Sequence, residues 1–302
     1  MILSCAASVL YHPSEEDIDK VVKISNAFDK HYIVLNSFIS EPAMYKLMSC
    51  CSAGVHHFIY PKYNIGIGGG LNLCLSQALE DRSLYVMAFD QDTELLLTRS
   101  QVSQLFHSIS DIKQVGIVGV ERLKPSSSID VFQPHKHTSE YDSLSEATLL
   151  NYSFMHSGCI YSVEAWKHIG PFREDYFMEY IDIEYALRTK KYKYINYKWS
   201  HKAIVHDAGV KRPDGHNLIS ISYHRPEIIY LQYRNFILTL KKHMLVDIRW
   251  SLKAIFIMLS MRIAMILLSH RCNFRILVYI ALGIADGLTS SRRRYYTKDN
   301  RD

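Results

Sequence analysis

The alternation of apolar and polar positions divides the chain into a regularly patterned first two thirds and a differently built end. Ile2 to Leu10 is an apolar run stopped at Tyr11-His12-Pro13, which predicts a buried strand reaching a turn. Ser14 with Asp17 three residues on is a capping-box pattern, and Ile18, Val21, Val22 and Phe28 then mark one helical face. His31 to Leu35 predicts a second strand, Met44 to Cys51 a helix, and Val55 to Tyr60 a third strand. The turn from Asn64 to Asn72 contains Gly66, Gly68, Gly69 and Gly70 and runs into a helix reaching Ala78. Ser83 to Phe89 is a strongly apolar strand ending at Asp90, and Val115 to Val120 is another. A βαβα series of this kind predicts an α/β domain around a mostly parallel sheet, with ligands at the carboxyl ends of the strands.

From Glu121 to about Leu150 the chain is polar and weakly patterned, as in loops that serve as lids or binding segments. Order returns at Tyr152 to Tyr161, then a short helix near Trp166, then a helix from Asp182 to Lys190 carrying two acids and Arg188. Beyond Asp247 the composition changes. Ile255 to Leu268 is almost wholly apolar apart from Arg262, and Ile276 to Ala285 is too short to span a bilayer. On a continuous helix Arg249, Lys253, Arg271 and Arg275 fall on one side, with Arg262 opposite. Residues 241–302 are therefore expected to form basic amphipathic helices lying on a membrane surface, with core helices of a soluble bundle as the alternative.

Composition sharpens this in three places. The 302 residues, 48% hydrophobic and 22% charged, suffice for one large domain with or without an appendage. The net charge of +5 lies largely after residue 240, ending in Arg292-Arg293-Arg294. That placement suits an anionic inner-membrane surface better than a duplex, so no nucleic-acid partner is expected. The six cysteines, Cys5, Cys50, Cys51, Cys74, Cys159 and Cys272, contain no C-x-x-C pair and read as buried thiols of a reducing compartment. No basic segment precedes the first apolar run, so the expected location is cytoplasmic, peripheral on the membrane's inner face.

The chemistry concentrates in a few places. Asp90-Gln91-Asp92 stands where a buried strand leaves the sheet, and two carboxylates there can hold a hard divalent cation that bridges a diphosphate. A turn with a helix cap is the other reading. A second D-x-D, Asp17-Ile18-Asp19, lies inside the first helix as a charged face. The glycine turn has Leu71 where a dinucleotide fingerprint needs glycine, and it follows the third strand, which argues against a dehydrogenase. Its glycines either let the backbone approach a nucleotide or pack a helix against the sheet. Asp182 and Glu184, two apart on a helix, cannot share a face. Asp182, near the helix start, is the better base, or else simply the N-cap. His206 ends a short apolar run, as a third metal ligand or as a structural histidine among fifteen.

In this order the pieces resemble the family 2 glycosyltransferases, and within them the bacterial rhamnosyltransferase-like branch. Asn64-x-Gly66 leading to Leu71-Asn72 resembles that family's N-x-G-x-x-x-x-x-N segment, and Phe89-Asp-Gln-Asp-Thr93 its L-D-Q-D-S motif. Ser157-Gly158, Ile169-Gly-Pro-Phe172, and Phe177 through Asp182-Ile-Glu184 to Arg188 are similar to its S-G…I-G-x-F…F-I-D-x-x-D-x-E-x-x-x-R block. His206-Asp-Ala-Gly209, Tyr233-Arg234-Asn235 and Gly283-Ile-Ala-Asp-Gly287 match later elements. The resemblance implies a GT-A fold of class α/β, with a nucleotide-sugar-binding half over 1–120 and an acceptor-binding half over 121–240. It implies Mg²⁺ or Mn²⁺ at Asp90, Asp92 and His206, with the donor contacted by Tyr11, Asn36, Asn64, Gly68, Asn72, Asp90 and Gln91. Asp182 would be the base, with Glu184 and Arg188 supporting it, in an inverting transfer. The implied donor is dTDP-rhamnose, or else a UDP-sugar, and the acceptor a lipid-linked oligosaccharide of an O-antigen or capsule. One departure stands out: Val34-Leu35-Asn36 has leucine where the family usually carries a base-reading aspartate. The alternatives are a galactofuranosyl- or other hexosyltransferase, a metal-dependent phosphoesterase, and an inactive membrane-associated scaffold.

Overall fold

The computed structural model describes residues 3–49, 56–123, 144–206, 225–268, 274–291 and 293–295, with the backbone alone for 261–268. Ile2, Cys50, Cys51, Val55, most of the Glu121–Leu150 stretch, Gly209, Arg271, Cys272, Arg292 and the Arg262 side chain lie outside the described residues. In chain order the first half contains β1 (Cys5–Leu10), α1 (Glu15–Ala27), β2 (Lys30–Leu35), α2 (Glu41–Ser49), β3 (His56–Ile59), α3 (Gly66–Glu80), β4 (Tyr85–Asp90), β5 (Glu94–Leu95), α4 (Arg99–Ser110) and β6 (Val115–Leu123). Then follow β7 (Leu144–Glu146), β8 (Cys159–Ser162), α5 (Val163–Ile169), α6 (Ile181–Lys191), β9 (Ile195–Val205), α7 (Pro226–His243), α8 (Ile248–Leu268) and α9 (Phe274–Thr289).

The sheet runs β3-β2-β1-β4-β8-β6-β9-β5, with β7 also on β9. The first four strands are parallel, as the alternating pattern predicts, while β8 runs antiparallel to both β4 and β6. β1, β2 and β4 are apolar nearly throughout because helices cover both faces of the sheet. The Ser14–Asp17 capping box forms, and Ile18, Val21 and Ile24 of α1 are buried. A second capping box, Thr98 with Gln101, starts α4, whose Val102, Leu105, Phe106 and Ile109 point inward. The glycines of α3 serve packing. A Cβ on Gly70 would stand 2.5 Å from Val9 on β1, so only glycine lets this helix press onto the sheet.

The boundary expected near residue 240 falls inside α7, which carries α9 on its flank. Cβ atoms on Gly283 and Gly287 would stand 2.6 Å from the Tyr230 carbonyl oxygen and 2.7 Å from Ile237, and Asp286 accepts a 2.8 Å bond from Tyr230. Of the residues expected on one basic side, Arg271 lies outside the described residues and two others have partners. Arg275 lies 3.8 Å from Glu227 of α7, and the Lys253 ammonium donates to the Leu150 carbonyl at 3.0 Å. Apart from Trp250 and Ser251, no residue of α8 up to Ser260 is buried, and Leu252, Phe256 and Leu259 are 56–71% exposed. Among the described residues no helix is long and apolar enough to cross a membrane. Cys5, Cys74 and Cys159 are buried free thiols.

Candidate metal centre and base

Asp90 is the last residue of β4, and the chain turns at once, the Thr93 N–H donating to the Asp90 carbonyl at 3.1 Å. This turn is fixed from below. Ser157 accepts from the Asp90 N–H at 3.1 Å and meets the Thr93 hydroxyl at 2.6 Å. Gly158 has φ +86°, donates to the Ala88 carbonyl at 2.8 Å, and would drive a Cβ to 2.7 Å from Ile204. The Ser-Gly pair is therefore a clasp between the antiparallel strand β8 and the end of β4.

His206 follows directly on β9, which brings it from 113 residues away to the same turn. Its Nε2 lies 3.4 Å from Asp90 and its Nδ1 3.4 Å from Asp92. Ligand atoms of Asp90, Asp92 and His206 all fall within 4.8 Å of one another. Two carboxylates and one imidazole form an oxygen-rich donor set of the kind that suits a hard divalent cation. The residues present therefore fit Mg²⁺ or Mn²⁺. Burial works to lift the Asp90 carboxyl, but His156 and His206 beside it hold it below its ordinary value. Burial lowers His206, and Asp92 and Asp90 more than reverse this, so it stays protonated more readily than a free imidazole.

His156 is the residue that the sequence reading missed. Its Nε2 stands 3.3 Å from Asp90, and its backbone N–H donates to Asp182 at 3.3 Å, so it joins the metal corner to the candidate base. The only signal in the chain was its place beside Ser157-Gly158. Asp182 is not the N-cap of α6, since Tyr180 takes that position in a left-handed conformation. Burial raises the Asp182 carboxyl, and the N–H groups of Ile183 and His156 offset only part of this.

The remaining expected site residues divide into those near the corner and those that are not. Tyr11 and Gln91 meet at the ends of β1 and β4, the Gln91 amide oxygen accepting from the Tyr11 N–H at 2.8 Å. Asn36 and Asn64 bind each other at 2.7 Å and hold the Ile65 and Gly66 N–H groups at 2.9 Å, shaping the entry to α3. Four others, Gly68, Asn72, Glu184 and Arg188, find their partners away from the corner. Gly68 faces the Arg173 carbonyl, 3.2 Å from where its Cβ would be, which fits helix packing. Asn72 is buried, bonding the Phe172 N–H at 2.7 Å, the Phe172 carbonyl and the Trp166 indole, so its amide latches α3 to the loop after α5. Glu184 is 1% exposed and joined to Arg188 at 2.9 Å and His243 at 3.0 Å. Arg188 spends its other donors on the carbonyls of Ile169, Gly170 and Pro171. The hydrogen bonds of both run to other groups of the protein.

No protein-family model and no curated protein matches the chain. Solved structures do. Staphylococcus aureus TarS 1-349 in complex with UDP-GlcNAc superposes with TM-score 0.51 at 15% identity, over 79% of this chain and 66% of that one. The mannosyltransferase PcManGT from Pyrobaculum calidifontis, in complex with GDP-Man and Mn²⁺, gives TM-score 0.55 at 12% identity, over 96% of this chain and 88% of that one. GalNAc-T7 with UDP, GalNAc and Mn²⁺ gives 0.51 at 9% identity, over 80% and 48%. The chain spans between 40% and 66% of the TarS chains it matches. At these identities the likeness is one of fold: a mixed α/β domain of the GT-A type found in glycosyltransferases.

Proposed function

We propose that this chain is a metal-dependent, inverting glycosyltransferase using a nucleoside-diphosphate sugar. The observation that carries the reading is the convergence of Asp90, Asp92 and His206 at the carboxyl end of β4 in a GT-A fold, with Asp182 joined to them through His156. Asp90, Asp92 and His206 would hold the cation, which supplies positive charge to a leaving diphosphate. Asp182 takes the proton of an acceptor hydroxyl whose oxygen attacks the anomeric carbon. The bond from that carbon to the diphosphate oxygen breaks, its electron pair leaving with the diphosphate, and one displacement inverts the configuration. Tyr11, Gln91, Asn36 and Asn64 line the ends of the strands where the nucleotide would lie. Leu35 leaves the base unread by an acid, so dTDP, UDP and GDP all remain donors to test.

The finer reading is a transfer of L-rhamnose from dTDP-rhamnose to a lipid-linked oligosaccharide of an O-antigen or capsule, at the inner face of the membrane. Its support is the motif resemblance, together with the exposed apolar residues of α8 and α9, Leu252, Phe256, Leu259, Phe274 and Leu277 among them. A peripheral lipid contact accounts for such a surface.

The test is a thermal-shift series with dTDP, UDP and GDP, each with and without Mn²⁺, on the wild type and Asp92→Ala. Stabilisation by one nucleotide that needs the metal and disappears in the variant is expected, and it names the donor class. A folded sample that answers to none of them would bring forward the inactive scaffold instead.

A further inference from the structure

A second set of charged groups lies outside the metal corner, around the 3-10 turn Glu174–Tyr176 and the residue after it. Arg173 stacks on Tyr176 at 4.6 Å, and Arg293, arriving from the tail after α9, stacks on Phe177 at 4.8 Å. Arg234 of α7 donates to the Asp175 carbonyl at 3.1 Å and to the Ser291 carbonyl at 2.9 Å. The tail is held in place rather than draped, because Arg294 forms a two-pronged pair with Asp286 at 2.6 and 2.8 Å.

The charges in this cluster do not balance. Asp175 is engaged by the Arg173 guanidinium. Burial acts to raise it, yet Arg173, Arg234 and Lys242 keep it below its ordinary value. Asp175 thus answers three guanidinium groups and an ammonium, while Glu174 beside it accepts from the Asn72 amide at 3.2 Å. The neighbouring acids are committed elsewhere: Glu184 to Arg188 and His243, and Asp286 to Arg294 and Tyr230. Arg173 Nη1, Arg234 Nε and Arg293 Nη1 are buried without an acceptor among the described residues. A buried donor left unpaired costs about 1–3 kcal/mol, so three of one sign in one place ask for a shared anion. Arg293 makes no hydrogen bond or ion pair among the described residues; its stack on Phe177 leaves it able to turn toward a ligand.

We propose that Arg173, Arg234 and Arg293 form an anion subsite, separate from the Asp90–Asp92–His206 corner, that takes a phosphate or diphosphate group carried by the acceptor. Planar guanidinium forks match phosphate oxygens, and three of them exceed what one carboxylate can satisfy. The acceptor is favoured over the donor by placement. The segment that begins at Arg173 ends nine residues later at Asp182, the group that would receive the acceptor's proton, whereas none of the three arginines lies on an element that supplies the metal corner. The tail bearing Arg293 also continues from the last turn of α9, where Leu288 is 58% exposed, so a phosphate at a lipid surface lies within the reach of this end of the chain.

This rests on the transferase reading, and the probe is chosen to be scored apart from it. Inorganic pyrophosphate is titrated calorimetrically into the full chain with EDTA present, so that no metal-held diphosphate contributes. Binding is expected in the wild type and in Asp92→Ala, weakened by about tenfold or more in Arg293→Ala and Arg173→Gln, the loss of one charged hydrogen-bonding partner. Arg293→Ala removes a stack and no hydrogen bond, and circular dichroism checks its fold. Absence of metal-free binding, or equal binding in both arginine variants, overturns the subsite. So does loss of the Mn²⁺-dependent nucleotide response in Arg293→Ala, which would assign the arginines to the donor. The wild-type response to nucleotide with Mn²⁺ tests only the transferase reading.

Discussion

Two clusters of carboxylate and imidazole sit on opposite sides of α6, and they are built to different standards. Around Glu184 the contacts are short: Arg188 at 2.9 Å, His243 at 3.0 Å, and three backbone carbonyls completing the guanidinium, with His243 Nδ1 left unpaired among the described residues. Around Asp90 the histidines stand off at 3.3–3.4 Å, and Asp92 is half exposed. A tight cluster holds structure, since its charged groups already have their partners. A loose one has bonding capacity left for a ligand. Asp182 and Glu184, two residues apart, fall one on each side, because adjacent even positions of a helix cannot face the same way.

The comparison is broken most sharply through rate. Asp182→Asn should lower turnover by about 10²–10⁴-fold while leaving metal-dependent nucleotide stabilisation in place, measured with whichever donor the thermal-shift series names. In the wild type the base acts when ionised, so activity should rise with pH through a value above the usual carboxylate range, the direction in which burial moves Asp182. An acid limb at an ordinary carboxylate value would remove Asp182 from the role.

Glu184→Ala tests the other side. It leaves Arg188 and its charge buried without a carboxylate, and urea unfolding should show a loss of about 3–5 kcal/mol. If Asp92→Ala destabilises as much, the two clusters are not different in kind. Gly158→Ala sharpens the link between β8 and the metal turn. Positive φ and the approach to Ile204 should together cost about 2–4 kcal/mol, read in the same unfolding series.

A last effect, read through pH, concerns Glu179, three residues before Asp182. Burial first, and Asp182 after it, push its carboxyl up to about 7, although Gln232 donates to it at 3.3 Å. The folded state then binds a proton that the unfolded chain has released, so stability should fall as pH rises between about 4.5 and about 7. Glu179→Gln should flatten that slope, which a shift from 4.5 to about 7 sets at roughly 3 kcal/mol over the window. An unchanged slope would show that Glu179 ionises as if exposed.

Much of the nucleotide half was legible in the chain because its strands are buried on both faces and its helices are amphipathic. β1, β2, β4 and α1 with its capping box fall close to where the pattern puts them. α4 is absent from the sequence reading, although Thr98 and Gln101 form a capping box and Val102, Leu105, Phe106 and Ile109 repeat at helical spacing. β8 was not legible, because nothing in four apolar residues states a strand's direction; its pairing with β4 and β6 decides it.

The same division holds for the site. Local order along the chain determined that acids leave a buried strand at Asp90 and that Asp182 and Glu184 must part company, because both follow from the periodicity of one element. Only the tertiary structure decided that His206 and His156 join Asp90, that Asn72 and Arg188 are latches, and that a tail arginine stacks on Phe177. Those depend on which residues far apart in the chain are brought within a few ångströms, and the spacing of residue types along the chain carries no record of it.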